Sequence, residues 1–215
     1  MRSAGISSKF KVQSSKPQLK AQKLKIGVLD IQGSVEEHAA ALKKCGAKVL
    51  FVKNTDDLAR VNGLIIPGGE STHLSKMLET NGLFDALKKR ICSGMLVFGT
   101  CAGAILLAKK IVGDKKVKSL GAIDIEIERN AYGRQLDSFE ADLQSPALGK
   151  WLFHAVFIRA PKILRVGNDV RVLARHGKEI VFAREKNILV STFHPELSSD
   201  LRAHKYFIEM AALAQ

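Results

Sequence analysis

No apolar run in this sequence approaches the roughly 18 residues that a bilayer-spanning helix needs, so no such span is expected. Cysteine is scarce. The three residues, Cys45, Cys92 and Cys101, make an odd number without paired spacing. A disulfide framework is therefore not expected, and a reducing compartment, the cytoplasm, fits best. There is no C-x-x-C and no His/Cys cluster with zinc spacing, so neither a metal nor another cofactor is expected. Aromatic residues are only 6% of the chain. They do not interleave with basic residues as a nucleic-acid stacking platform requires.

Acidic residues are missing altogether before Asp30. Seven basic residues fall in the same stretch, Arg2, Lys9, Lys11, Lys16, Lys20, Lys23 and Lys25, out of a net charge of +13. The remaining charge, about +6, is spread thinly and reads as a mildly basic surface rather than a phosphate-binding stripe. Residues 1–23 are rich in Ser and Lys and show no apolar period. Three readings stay open for them: a flexible extension, an organellar transit segment or a binding arm. Residues 24–215, in a chain with 46% hydrophobic residues, are enough for one domain with a sizeable core.

What is present in that stretch is an alternation of strands and helices. LKIGVLDI (24–31) is a short buried strand. In GSVEEHAAALKKCGAKV, Val35, Ala39, Leu42 and Cys45 share one helical stripe, and Gly46 suits its stop. VLFV follows as a second strand, 56–60 as a helical turn, and GLIIPGG (63–69) as a third strand ending in a turn. Helices are predicted at 72–79 and 83–92. MLVFG (95–99) is a fourth strand, and AGAILLAKKI begins a helix directly after it. This order argues for a parallel sheet covered on both faces. After Gly113 the pattern changes. AIDIEIE alternates as a half-exposed strand, and further short strands are predicted at 138–143, 155–158, 170–174, 179–184 and 188–192. A last helix runs over about 199–212, with serine caps in SSDL.

The chemistry concentrates at VFGTCAGA. Ligands of open α/β sheets sit at the carboxyl ends of strands, and Cys101 lies there. G-x-C-x-G between strand and helix matches the nucleophile elbow with sulfur in place of oxygen. Gly99 and Gly103 would let neighbouring chain approach, and the helix N-terminus would favour a thiolate. The N–H of Ala102 would point where an oxyanion forms. A buried cysteine at a tight turn is the alternative. Cys45 and Cys92 read as helix packing residues. A thiolate attacking a carbonyl needs a base. His194 in STFHPEL closes an apolar strand, and Glu196 two residues on could fix its tautomer. His38 and His204 read as helix-surface residues, and His154 and His176 as loop or strand-edge residues. His73, just after the glycine-rich turn, keeps some claim to a site. In PGGEST, Gly68 and Gly69 could turn backbone N–H groups toward a ligand, with Glu70 and Ser71 starting a helix.

PGGEST, GTCAG and TFHPEL in this order resemble the class I (triad) glutamine amidotransferases. More narrowly, LDIQGSVEEH, PGGEST, GTCAGAILLAK, ERNAYGRQLDSFE, FIRAP and TFHPELSSD resemble the glutaminase subunit of pyridoxal 5′-phosphate synthase, over about Leu24 to the C-terminus. The resemblance implies a single three-layer α/β domain with a mixed, mostly parallel central sheet flanked by helices, the flavodoxin-like arrangement. It implies hydrolysis of L-glutamine to glutamate and ammonia by Cys101, His194 and Glu196, with Gly69 and Ala102 N–H groups as oxyanion donors. It places glutamine on Gly69, Glu70, Ser71, Arg129, Ile158 and Arg159. Without it, Arg129 and Arg159 would read as surface charges. The implied partner is a synthase chain, a (β/α)₈ barrel, in a ring assembly that uses the ammonia for vitamin B6 biosynthesis. A nearly inactive free subunit is expected. Asp30, near the expected interface, departs from the family's usual small or apolar residue. A binding protein acting through its basic tail and a different thiol hydrolase are the competing readings; ERNAYGRQ argues against the second.

Overall fold

The computed structural model describes residues 24–114, 116–129 and 138–213. The basic N-terminal stretch and NAYGRQL (130–136) lie outside them. The first half alternates as the sequence predicts: β1 (Lys25–Leu29), α1 (Val35–Lys44), β2 (Lys48–Val52), α2 (Thr55–Ala59), β3 (Gly63–Ile66), α3 (Ser71–Thr80), α4 (Leu83–Cys92), β4 (Leu96–Thr100) and α5 (Ala102–Leu107). The second half is mostly strand: β5 (Ala108–Val112), β6 (Ile123–Glu128), β7 (Ser138–Leu143), β8 (Phe153–Ile158), β9 (Lys162–Val166), β10 (Arg171–His176), β11 (Glu179–Glu185) and β12 (Ile188–Ser191), closed by α6 (Arg202–Leu213).

Among the described residues ten strands form one mixed sheet in the order β2-β1-β3-β4-β12-β11-β9-β6-β5, with β10 on β11; β7 and β8 pair separately. The β2-β1-β3-β4-β12 stretch is parallel throughout. Its inner strands β3, β4 and β12 are buried along their whole length, which is why they read as unbroken apolar runs. Alternate side chains feed two cores. Leu64, Ile66, Val97 and Val190 join Leu74, Leu87 and Ile105 on one face. Ile65, Phe98 and Leu189 join Leu42, Phe193 and Phe207 on the other. At about 25 cal/mol per Å² of apolar area removed from water, these two layers dominate folding.

Four expectations need correction. The helix predicted over AGAILLAKKI stops at Leu107, and the chain becomes β5. All six residues of α5 are buried, whereas Lys109 and Lys110 are exposed. Extended backbone keeps both lysines in water, lays Ile111 beside Ile127 of β6 and brings Lys110 within 3.2 Å of Glu126. Strand β9 was not predicted; in KILRV only Ile163 is fully buried, so no apolar signal marks it. Cys92 is exposed rather than a packing residue. At the start of α6, the Arg202 N–H is received by the Asp200 carboxylate at 3.0 Å rather than by a serine, and Ser198 Oγ accepts the Asp200 N–H just before the helix.

Candidate active site

The carboxyl ends of β1, β3, β4 and β12 and the end of β6 converge on a cavity of about 440 Å³, within the range of small-molecule sites. Cys101 sits in the one-residue turn between β4 and α5, with φ 48° and ψ −104°. A side chain in that region stores about 1–3 kcal/mol of strain. Surrounding bonds hold it. Its N–H donates to the Ser191 carbonyl of β12 at 2.8 Å, and its carbonyl accepts the N–H groups of Ala104 and Ile105. The flanking glycines have a direct reason. A Cβ on Gly99 would lie 2.6 Å from the Gly103 carbonyl carbon, and one on Gly103 would run into the Ile66 carbonyl oxygen. The elbow folds α5 back against β3 and β4 so closely that no side chain fits there.

His194 follows β12 and is pinned by its N–H, which donates to the Val156 carbonyl of β8 at 2.7 Å. On one side its ring faces the cavity that Cys101 also lines, while Cys101 Sγ lies 3.9 Å from the Ile158 carbonyl. On the other, Nδ1 lies 2.8 Å from Oε1 of Glu196, in the 3-10 turn Pro195–Leu197. A carboxylate accepts, so Nδ1 carries the proton donated to it and Nε2 is left for the sulfur. Cys101, His194 and Glu196 are each less than 10% exposed, so water competes little for these bonds. Burial opposes a charge on His194, but the bonds to Cys101 and Glu196 outweigh it and push the imidazole up to about 10. Burial likewise opposes the Glu196 charge, yet His38 and His194 together hold its carboxyl below the usual range. An imidazolium beside sulfur is the pairing in which cysteine attacks as a thiolate.

The residues expected to bind substrate, Gly69, Glu70, Ser71, Arg129, Ile158 and Arg159, line the same cavity, as does Ala102, expected as an oxyanion donor. Glu70 caps α3, accepting the Thr72 and His73 N–H groups at 2.9 and 2.6 Å. Arg129 at the end of β6 reaches it, with Nη2 3.0 Å from Oε1, while Nη1 bonds to Thr72 Oγ1 at 3.0 Å and to Asp114. Burial of Glu70 is outweighed by these N–H groups and Arg129, which hold its carboxyl below the normal range. Arg159 has φ 43°, a second strained residue on the rim. His73 is exposed and does not line the cavity. Among the described residues no group of three His, Cys, Asp or Glu stands ready for a metal.

Two readings of histidines are overturned. His38 and His204 lie on helices but are completely buried. His38 Nε2 lies 3.2 Å from Glu196 Oε2 and 3.2 Å from Thr100 Oγ1, and its Nδ1 lies 3.0 Å from His204 Nε2. Helix α1 is buried against the sheet and α6, so the face that reads as polar in isolation meets polar groups inside. Sequence reasoning also missed Gly33, Ser34 and Glu37 as lining residues. They follow β1, and the carboxyl-end rule could have pointed to them. Ser34-x-x-Glu37 reads as a capping box, yet the Ser34 side chain makes no cap bond.

The fold and this cleft together define a glutamine amidotransferase. A solved structure described as a crystal structure of a glutamine amidotransferase superposes with a TM-score of 0.82 and 47% sequence identity, covering 86% of this chain and 98% of its own. The model of the SNO glutamine amidotransferase family matches residues 28–213. "Pyridoxal 5'-phosphate synthase subunit PdxT" of Thermotoga petrophila is 52% identical over 187 residues, 87% of this chain and 99% of that protein. The protein of the same name from Kosmotoga olearia is 49% identical over 186 residues, 86% of this chain and 97% of its own. The chain belongs to the SNO glutamine amidotransferase family and is a glutaminase.

Proposed function

We propose that the chain is the glutaminase subunit of pyridoxal 5′-phosphate synthase, hydrolysing L-glutamine to glutamate and ammonia for a separate synthase subunit. The observation that carries the residue assignment is the placing of buried Cys101 and His194 on one cavity at the sheet end, with His194 Nδ1 2.8 Å from Glu196. Cys101 attacks the side-chain amide carbon as a thiolate. Gly69 and Ala102 N–H groups receive the oxyanion, and His194 gives its proton to the departing ammonia. His194 then takes a proton from water as it attacks the thioester, and Glu196 keeps the imidazole in the working tautomer throughout. Gly69, Glu70, Ser71, Arg129, Ile158 and Arg159 hold the substrate. Arg129 offers a fork to the α-carboxylate, and Glu70 offers a charge to the α-ammonium.

Ammonia made here serves a synthase subunit. Residues 24–215 form the glutaminase domain, residues 1–23 an N-terminal extension, and the complex is a ring of synthase chains carrying glutaminases in the cytoplasm. The relatives named as synthase subunits support the pairing with a synthase. The test is ammonia release from glutamine with the synthase chain added. Turnover is expected and is expected to vanish in Cys101→Ala while binding to the synthase persists. Equal turnover in that variant would refute the assignment.

A further inference from the structure

Behind the cleft stand two imidazoles that the proposed reaction does not use. His38 of α1 and His204 of α6 are fully buried, 166 residues apart in sequence and 3.0 Å apart in space. Burying a polar ring is costly unless its nitrogens are used, so their partners are informative.

The tautomers follow by elimination. His38 Nε2 faces Glu196 Oε2 and Thr100 Oγ1, each at 3.2 Å. A bare nitrogen lone pair against a carboxylate would be repelled, so Nε2 carries the proton. His38 Nδ1 then has a lone pair, and His204 Nε2–H donates to it. This leaves His204 Nδ1 as a buried lone pair without a partner, which matches its unpaired state. Both rings are neutral. Burial lowers His38 despite the nearby Glu196 charge, and burial together with His38 lowers His204 to about 3. The groups that face His38 are Glu196 on the 3-10 turn, His194 after β12, Glu37 on its own helix, Thr100 on β4 and His204 on α6. Glu196 Oε1 is taken by His194 Nδ1. Among the described residues Oε2 has no aligned donor, and the off-axis Nε2–H of His38 lies 3.2 Å from it.

Resting on the glutaminase reading above, we infer that His38 is a positioning residue. Its Nε2–H keeps the Glu196 carboxylate ionised and turned toward His194, and His204 holds His38 in the tautomer that does so. The active pairing therefore extends in a line from sulfur to helix α6: Cys101, His194, Glu196, His38, His204. Losing His38 leaves Oε2 facing a dry pocket. Glu196 becomes harder to ionise and supports the His194 proton less well.

The experiment measures kcat and KM for glutamine against pH in the complete complex with synthase, for the parent, His38→Leu, His38→Asn and His38→Gln. A glutamine amide can place its N–H near the Nε2 position, whereas an asparagine amide reaches only as far as Nδ1. The leucine and asparagine variants are expected to lose about tenfold in kcat with KM changed less than about twofold, as for a lost bond to a charged group. Their acid limb should move up, and their alkaline limb down, by about one pH unit. His38→Gln should recover most of the rate and both limbs. If Leu fails to fold, the Asn–Gln contrast decides alone. Limbs unmoved in Leu and Asn, or Gln as impaired as Asn, would overturn the inference while the glutaminase reading stands. A parent complex that releases no ammonia would overturn that reading and take the inference with it.

Discussion

Gly68 sits opposite the His194 ring, and replacing it with alanine tests whether that ring must stay where it is. Its φ lies outside the left-handed region, so alanine is tolerated by the backbone. The added methyl is not tolerated by the site. It would lie 2.5 Å from His194 Cε1 and 3.4 Å from Cys101 Cβ. Restoring ordinary contact requires the imidazole to retreat by roughly 0.9 Å. The ring has little freedom to do so, because its backbone N–H is fixed on Val156 and its Nδ1 on Glu196. The displacement therefore falls on the placement of the ring relative to Cys101. A misplacement of about 1 Å in a reacting pair costs on the order of 100-fold in rate. Gly68→Ala is expected to lose about that much glutamine turnover in the synthase complex. Thermal unfolding and synthase binding should stay close to the parent. Turnover within about threefold of the parent, in a folded variant, would show that the His194 position does not limit the reaction.

Other outcomes follow from the same contacts. Because Cys101 has φ 48°, Cys101→Gly should be more stable than Cys101→Ala by about 1–2 kcal/mol. Both should be inactive, and equal chemical-denaturation midpoints would mean the elbow stores no strain. Arg129→Lys cannot serve Glu70, Thr72 and Asp114 together, so KM for glutamine should rise about tenfold with kcat within about threefold; an unchanged KM would remove Arg129 from the substrate site. Stability should peak near pH 6.5. The folded value of His204, about 3, lies below its unfolded value, so its contribution is complete above about 6.5 and is lost as pH falls, about 2 kcal/mol by pH 5. His194, raised to about 10, contributes below about 6.5 and loses that contribution as pH climbs toward 10. Denaturant titrations at pH 5, 6.5 and 9 check both slopes; a flat profile would contradict the burial argument.

The sequence made some features legible because their cause is local. Buried parallel strands need apolar side chains on both faces, so β3 and β4 appear as GLII and LVFG. The half-exposed β6 appears as IDIEIE by alternation. The elbow is visible because a turn that crowds β3, β4 and α5 admits only glycine at 99 and 103. Where the cause is tertiary, local pattern misleads. Ala108 to Val112 looks helical until its strand partner β6 is known. His38, beside Glu36 and Glu37, looks solvated, because its partners lie on α6, β4 and the turn after β12. The nearness of Cys101, His194 and Glu196 was readable from motif order, and the residues proposed to hold substrate line the same cavity. Ser34 and Glu37 were missed although they follow the carboxyl end of β1, where the ligands of such sheets gather.

The most direct measurement is to mix the complex with glutamine, quench in acid during turnover and locate any covalent glutamyl group by peptide mass spectrometry. The account predicts a glutamyl thioester on the peptide that carries Cys101, absent from Cys101→Ala. A glutamyl group on Cys45 or Cys92, or ammonia release undiminished in Cys101→Ala, would contradict it.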